Sequence, residues 1–288
     1  MKRFTFIWLV LISCKIGMAQ SDANFSSDGI GSLWHNPASF GGINSYSVQV
    51  GSVLNDDLDN LQIPLHNLVS AEFRLGKRMN AGLVYNSNAI GFARRYSVEI
   101  PINYTFDFKK SRLSVGLSVG FEQSYVRPFY STSLYPYPYS TLIESMRIDL
   151  DFGVYWYGEH HYIGVATTHF QGSAFIIEKG KFIRNNYYLN AGYQFEIFKK
   201  MAIYPILELR TDENSIFQMK FINYFQFAND HFSLAAGYRL NDAVIAGITG
   251  RLSRFKLAYF YAFNTNKLMY YATNKHEIRL SYNLPRFQ

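Results

Sequence analysis

The sequence has one cysteine, Cys14, and no apolar run long enough to cross a bilayer as a helix. Cys14 lies in an N-terminal segment that we expect to be removed, so the mature protein has no disulfide and no thiol site. The formal net charge of +7 is spread along the chain, and its basic residues collect in short turns. A basic stripe with interleaved aromatics is missing, which argues against nucleic acid as a partner.

Motifs for catalysis or metal binding are also missing. His160 and His161 are adjacent and His169 follows, but no carboxylate or cysteine stands at a ligand-like spacing from them. An exposed polar turn is therefore favoured over a metal site. No motif singles out a serine as a nucleophile. We expect a protein that is not an enzyme and that has neither a metal nor a cofactor.

Residues 1–19 have the pattern of a cleaved signal peptide. A basic start is followed by an apolar run from Phe4 to Ile12 and by the small-residue cleavage site Gly17-Met18-Ala19. The run that ends at Cys14 also resembles a lipobox, in which Cys14 would become a lipidated N-terminus. Ordinary cleavage after Ala19 is favoured.

Strict alternation is the strongest pattern in the chain. From Tyr96 to Phe106 every second residue is apolar and every intervening residue is not, which predicts a strand with one apolar and one polar face. Aromatic residues make up 18% of the chain, with 23 Tyr and 25 Phe, as expected for a membrane barrel with aromatic girdles. The sequence predicts an all-β fold, a transmembrane antiparallel β-barrel over residues 44–288.

The alternation recurs in about fourteen segments, an even number as a bacterial barrel requires. They are predicted at 44–54, 67–76, 79–87, 94–108, 111–126, 145–158, 160–170, 186–198, 200–211, 215–228, 231–240, 243–252, 254–264 and 275–285.

The connections alternate in length, which is a second and independent signal. Every even-to-odd link is a tight turn, whereas most odd-to-even links are longer, up to the stretch 127–144. Short periplasmic turns and long outer loops are typical of outer-membrane barrels. The tight link at Asn241-Asp242 breaks this rule and predicts an irregular register beside it.

The polar face carries charges of both signs, which predicts its orientation. Each Arg or Lys would cost about 2–4 kcal/mol in lipid at mid-depth, so this face is predicted to line the lumen, with the apolar face on outer-membrane lipid. Asp149 and Asp151, beside Arg147, could bind a cation there. A ladder of cross-strand salt bridges is favoured instead.

Residues 20–43 lack alternation and contain the turn signals Asn36-Pro37 and Gly41-Gly42. We expect this segment, with Trp34, Asn36 and Pro37, to fold into the lumen as a plug. The alternative is a periplasmic tail.

The predicted loop 127–144 is rich in proline and tyrosine. Prolines favour an extended backbone, and tyrosines supply rigid amphipathic contact area. The loop suits either docking of another protein or folding over the barrel mouth; its candidate partner-binding residues are Phe129, Tyr130, Tyr135, Tyr137 and Tyr139. A second candidate is 175–182.

Four stretches in the second half, in order and spacing, resemble the PorP/SprF family of type IX secretion membrane proteins of Bacteroidetes. They are Asp151-Phe-Gly-Val-Tyr-Trp-Tyr157, Tyr188-Leu-Asn-Ala-Gly-Tyr-Gln-Phe195, Leu234-Ala-Ala-Gly-Tyr-Arg239 and His276-Glu-Ile-Arg-Leu-Ser-Tyr282. Asn36-Pro37-Ala38 is similar to the family's N-terminal element. Residues 20–76 depart from the family pattern and lack its Arg-x-Gln-Trp strand.

The resemblance implies a FadL-like barrel of fourteen strands that is not catalytic. It further implies a role in exporting or anchoring a cell-surface adhesin of the gliding type. The implied partners are the adhesin's type IX C-terminal signal and a periplasmic peptidoglycan-binding lipoprotein. The alternative that the shared architecture allows is a transporter or porin for hydrophobic or small solutes.

Overall fold

The computed structural model describes residues 25–26, 34–41, 46–55, 66–90, 93–126, 143–170, 185–212, 217–265 and 274–284. Over these ranges the protein is built of strands, with one three-residue 3-10 helix at Pro37–Ser39. Among the described residues, no helix has the length and apolar character needed to cross a membrane.

Fifteen strands follow one another along the chain. They are β1 (Tyr46–Asn55), β2 (His66–Arg74), β3 (Met79–Ile90), β4 (Ala93–Asp107), β5 (Ser111–Val126), β6 (Ile143–Gly158), β7 (His161–Thr168), β8 (Asn186–Tyr193), β9 (Phe195–Phe198), β10 (Met201–Asp212), β11 (Phe217–Phe227), β12 (Phe232–Arg239), β13 (Ala243–Leu252), β14 (Phe255–Asn264) and β15 (Lys275–Leu284).

Fourteen of these strands form a closed antiparallel barrel. Each pairs with its neighbours in chain order, with β8 joined to β10, and β1 pairs with β15 to close the ring. The four-residue β9 pairs only with the start of β10 and lies outside the ring. Closure leaves the ring without an edge strand. The backbone N–H and C=O groups of its strands are therefore hydrogen-bonded within the barrel, as a bilayer requires.

The fourteen strands predicted from alternation are confirmed, with small changes in their bounds. The predicted strand 186–198 is divided at Gln194 into β8 and β9. The predicted long link 88–93 is short, because β3 continues to Ile90 and β4 starts at Ala93. The irregular register predicted beside Asn241-Asp242 is wrong: β12 and β13 pair without a slip. Asn241 instead adopts a left-handed φ of 56° in a tight turn, a conformation that asparagine tolerates.

The two faces of the barrel have opposite chemistry. On β4, Val98, Ile100 and Ile102 are 43–52% exposed on the outside. Their neighbours along the strand point inward, where Ser97 and Glu99 are buried. The outward apolar face and inward polar face match the predicted orientation, since only a surrounding lipid phase favours exposed aliphatic side chains all round a closed barrel.

Candidate functional site

The lumen is occupied at mid-height by residues 34–41, which we call the lumen segment. Asn36 is fully buried and organises its turn: the Oδ1 atom accepts from the Ala38 amide at 3.0 Å. The Asn36 Nδ2 group donates to the backbone oxygens of Val154 on β6, at 3.3 Å, and Val165 on β7, at 3.5 Å. The segment is therefore bonded to the wall.

Strands β4 and β2, which precede β6 in the ring, bind the segment as well. Asn103 on β4 donates through Nδ2 to the carbonyls of Pro37, at 3.0 Å, and Phe40, at 2.8 Å. The Gly41 amide donates to the Glu72 carboxylate on β2 at 2.9 Å. With Asn36 bound to β6 and β7, these contacts hold the segment along the arc of the ring from β2 to β7.

Glycines in the wall make room for the segment. Gly116 and Gly153 are direct cross-strand partners on β5 and β6. A Cβ atom on Gly116 would lie 2.4 Å from the Ala38 nitrogen, and one on Gly153 would lie 2.1 Å from the Asn36 Oδ1 atom. On β3, a Cβ atom on Gly82 would lie 2.7 Å from the Phe40 ring. These distances are too short for any side chain, so the glycines form a groove that fits the segment.

Phe25 and Ser26 lie against the other side of the barrel. Lys220 on β11 donates to the Phe25 carbonyl at 2.8 Å, and Glu277 on β15 accepts from the Ser26 amide at 2.5 Å. The Arg279 guanidinium lies 5.4 Å from the centre of the Phe25 ring, a cation–π contact. Both ends of the described N-terminal region are thus held inside the lumen.

Between the lumen segment and the short turns, the barrel opens into a basin of about 1,380 Å³, which we call the vestibule. Its inner wall is aromatic: Tyr155 stacks on Tyr157 at 5.1 Å, and Tyr162 lies 5.5 Å from Tyr155 and 6.3 Å from Tyr204 between ring centres. The wall thus offers rigid apolar surface that carries hydroxyl groups.

The rim of the vestibule is basic. Asp230 pairs with two of its cations, accepting from Arg251 at 2.7 Å and Lys256 at 3.2 Å. Within the described part of the chain, no ion pair involves Lys109, Lys110 or Arg254, which also line the basin. The short-turn end therefore presents positive charge around an aromatic floor and attracts acidic groups.

The predicted site residues fall into two groups. Trp34, Asn36 and Pro37 lie in the lumen segment, with Asn36 and Pro37 buried and Trp34 half-buried. The other candidates are outside the described residues: Phe129, Tyr130, Tyr135, Tyr137 and Tyr139, the stretch 175–182 and the signal segment 1–19.

The structure separates His169 from the adjacent pair His160 and His161, which the sequence puts close to it. His161 packs on Trp156 at 4.6 Å at the short-turn end. His169 lies at the other end of β7, inside the lumen, beside Asp149. The cross-strand pairing expected around Arg147 is found with Glu122, which lies directly opposite on β5 at 3.4 Å.

The tyrosine wall and the glycine groove were missed at the level of sequence. The alternation places Tyr155 and Tyr157 on the inward face with Asp151, but it does not show that they form one wall with Tyr162. A glycine such as Gly116 gives no signal in a strand pattern, because its role depends on a segment about eighty residues away.

A closed antiparallel ring with an apolar outer face and a polar, partly filled interior defines an outer-membrane β-barrel. The profile of the family described as the type IX secretion system membrane protein PorP/SprF matches residues 18–282, and the chain belongs to this family. The resemblance seen in the sequence is confirmed. The chain is accordingly an outer-membrane component of type IX secretion.

Solved structures with the same fold are transport channels. The Ralstonia pickettii toluene transporter TbuX is 9% identical, with a TM-score of 0.53 over 91% of this chain and 96% of its own. The monoaromatic hydrocarbon channel CymD is 11% identical, with a TM-score of 0.53 over 93% and 96%. The Pseudomonas putida toluene transporter TodX is 8% identical, with a TM-score of 0.50 over 88% and 92%. At these identities the similarity shows the fold alone. None of the curated proteins compared with the chain matches it.

Proposed function

We propose that this barrel is a docking protein of type IX secretion that holds a secreted adhesin at the cell surface and connects it to periplasmic machinery. The observation that carries the proposal is the occupied lumen. A ring of fourteen strands would leave a wide channel, yet strands β2, β4, β6 and β7 bind the lumen segment on one side, and β11 and β15 bind Phe25 and Ser26 on the other. We assign the lumen segment as a plug, and a plugged barrel suits a protein that works through its two mouths.

The outer mouth is the adhesin-binding end in this proposal. The long connections emerge there, including 127–144 with its run of tyrosines and prolines. Tyrosine contributes large contact area at low entropic cost, and the neighbouring prolines reduce the ordering needed on binding. The cargo's type IX C-terminal signal would bind these loops, with Phe129, Tyr130 and Tyr135 among the contacts.

Replacing Tyr135, Tyr137 and Tyr139 together by alanine is expected to lower adhesin display several-fold at unchanged barrel abundance. The reason is that hot spots at interfaces are dominated by aromatic anchors. Display is measured by labelling whole cells, and barrel abundance by immunoblot of the outer membrane. The matched control replaces Ser131, Ser133 and Ser140 of the same loop by alanine. Equal display by the two triple variants would remove this loop from the site.

The vestibule is the proposed contact for the periplasmic peptidoglycan-binding lipoprotein. Its rim has cations without an ion-pair partner among the described residues, Lys109 and Lys110 in particular. Cations of this kind speed association with an acidic partner surface and make it dependent on salt. The precursor would reach this position after losing residues 1–19.

Reversing the charge of the vestibule rim, with Lys109→Glu and Lys110→Glu, is expected to reduce co-purification of the periplasmic partner by about tenfold or more, since like charges across an interface cost several kcal/mol. The control is Lys199→Glu with Lys200→Glu, an equivalent lysine pair in another short turn that does not line the vestibule. The comparison uses quantitative mass spectrometry after mild detergent extraction. Equal losses in both double variants would point to a general charge effect and refute the contact.

Transport of hydrophobic or small solutes is the second candidate. It is supported by the fold shared with toluene and hydrocarbon channels and by the tyrosine wall of the vestibule. It requires the lumen segment to move or a lateral opening to form. Uptake of a labelled aromatic hydrocarbon by liposomes that contain the wild-type barrel would favour transport, and tight liposomes would favour docking.

A further inference from the structure

Four buried carboxylates lie together on the side of the lumen segment away from the short turns. None is more than 7% exposed: Glu99, Glu122, Asp149 and Asp151. Strand register brings them together, because Glu99 and Asp149 are both opposite Gly120 and no side chain separates them. Arg95, Arg147 and, when protonated, His169 pair with Glu122 and Asp149. Neither Glu99 nor Asp151 forms an ion pair within the described ranges, which leaves two unbalanced negative charges when both are ionised.

Arg147 accounts for one half of the cluster. Its Nη2 atom lies 3.4 Å from the Glu122 Oε2 atom, 3.5 Å from Asp149 Oδ1 and 2.9 Å from His169 Nδ1. Candidate ligand atoms of Glu122, Asp149 and His169 lie within 4.8 Å of one another. A metal among them would meet the guanidinium, so this half is an ion-pair network and not a metal site.

The other half of the cluster borders a small cavity of about 20 Å³. Glu99 and Asp151 line it, as do Glu122 and the Arg95 that pairs with Glu122. The carboxyl groups of Glu99 and Asp151 are within hydrogen-bonding reach of each other. Two carboxylates this close repel each other unless a proton or a cation lies between them. The volume is enough for one water molecule or one ion.

Two further oxygens in the cavity wall have no hydrogen-bond partner among the described residues. They are the Thr168 Oγ1 atom, on a residue that is 4% exposed, and the Asn86 Oδ1 atom. A buried polar atom without a partner costs free energy, which a bound ion would recover. The Thr168 hydroxyl is independent of the charged cluster and also faces the cavity.

The backbone around the cavity is fixed by an uncommon conformation. His169 follows β7 with a left-handed φ of 60°, and its amide donates to the Asp151 Oδ1 atom at 2.9 Å. Ser97 donates to the Glu99 Oε1 atom at 2.9 Å. One oxygen of each carboxylate is thus oriented by the protein, which leaves the other as the candidate ligand.

The geometry points to a calcium site in this cavity, with Glu99, Asp151, Thr168 and Asn86 as oxygen ligands and Glu122 held by Arg95 and Arg147. Calcium takes six to eight oxygen ligands at about 2.3–2.6 Å in irregular geometry, and carboxylates, amide oxygens and water all serve. A divalent ion would also balance the two excess negative charges. The site goes beyond the docking function and does not depend on it.

The test uses the full-length barrel, stripped with chelator and held in uncharged detergent, with calcium chloride as the probe in titration calorimetry. The wild type is expected to bind about one calcium per barrel and to unfold at a higher temperature with calcium than with chelator. Glu99→Gln with Asp151→Asn should weaken binding by about tenfold or more. The control is Asp230→Asn, which removes a carboxylate at the vestibule and should leave binding unchanged.

The Thr168→Val variant tests whether Thr168 is a calcium ligand or only a packing residue. Valine has nearly the same shape and lacks only the unpartnered hydroxyl, so the variant should fold at least as well without calcium yet bind calcium more weakly. Three results would overturn the proposal. The first is no calcium binding by the wild type. The second is that the Glu99/Asp151 variant and the Thr168 variant both bind calcium with the affinity of the wild type. The third is that the wild type binds zinc but not calcium, and that His169→Gln abolishes the zinc binding. This would place a metal in the Arg147 half.

Discussion

Replacing Gly116 by valine is expected to turn a barrel with negligible conductance into an open channel. A Cβ atom at this position would lie 2.4 Å from the Ala38 nitrogen and 2.5 Å from the Pro37 carbonyl carbon. Both are backbone atoms, so the conflict cannot be relieved by rotating a side chain. Valine itself suits a strand, and the wall should therefore persist while the lumen segment is expelled.

The measurement is single-channel current across planar bilayers that contain the purified protein. Gly250→Val is the matched control, because a Cβ atom at Gly250, on β13, has open space around it. Wild type and Gly250→Val should give no resolvable steps, and Gly116→Val should give large ones. Equal conductance in an assembled Gly116→Val barrel and the wild type would contradict the assignment of the lumen segment as a plug.

Replacing Leu117 by arginine is expected to destabilise the barrel by about 2–4 kcal/mol, the cost of a cation at the centre of the lipid face. Leu117 is 51% exposed and pairs with two other outward apolar residues, Ile102 and Phe152, at the height of the lumen segment. Its neighbour Gly116 points inward, so the substitutions at Gly116 and Leu117 test the two faces of β5.

Leu252→Arg is the control for the lipid face. Leu252 is 82% exposed at the short turn between β13 and β14, where the cost of a cation falls to about 0–1 kcal/mol. Denaturant unfolding of the two variants in liposomes measures the difference between their free energies of unfolding. Equal stability would mean that the face bearing Leu117 is not in contact with lipid.

The fold could be predicted from the sequence because the bilayer imposes a strict pattern. An exposed residue such as Ile100 has to be apolar and its neighbour Glu99 has to face the interior, so every strand carries the signal. The strand bounds then followed to within a few residues. The boundary at Gln194 between β8 and β9 was missed, because outward aromatic residues continue on both sides of it.

The interior was harder to predict, because it depends on which strands are neighbours and in what register. The sequence identifies Glu99, Glu122 and Asp151 as inward residues, but only the pairing of β4 with β5 and of β5 with β6 brings them to one cavity. Nothing in the sequence around Thr168 indicated a binding residue. Its significance comes from a hydroxyl that faces this cavity without a partner.

The two ends of the lumen have distinct chemistry, which accords with a protein that serves two compartments. Short turns surround the vestibule, with basic Lys109 and Lys110 at its rim and tyrosines on its floor. The opposite half of the lumen carries the carboxylate cluster around Glu122. The lumen segment lies between them, and as the proposed plug it would keep a ligand at one mouth from passing to the other.

The central claim is that the barrel docks cargo and machinery instead of conducting solutes. The most direct test is affinity purification of the tagged protein from native outer membranes in mild detergent, with quantitative mass spectrometry of what is retained. We expect near-stoichiometric recovery of a large secreted adhesin and a periplasmic peptidoglycan-binding lipoprotein. The adhesin should be lost from the Tyr135/Tyr137/Tyr139 variant, and the lipoprotein from the Lys109/Lys110 variant. Recovery of the barrel alone, with a bound hydrocarbon or other small solute, would contradict the docking function and favour transport.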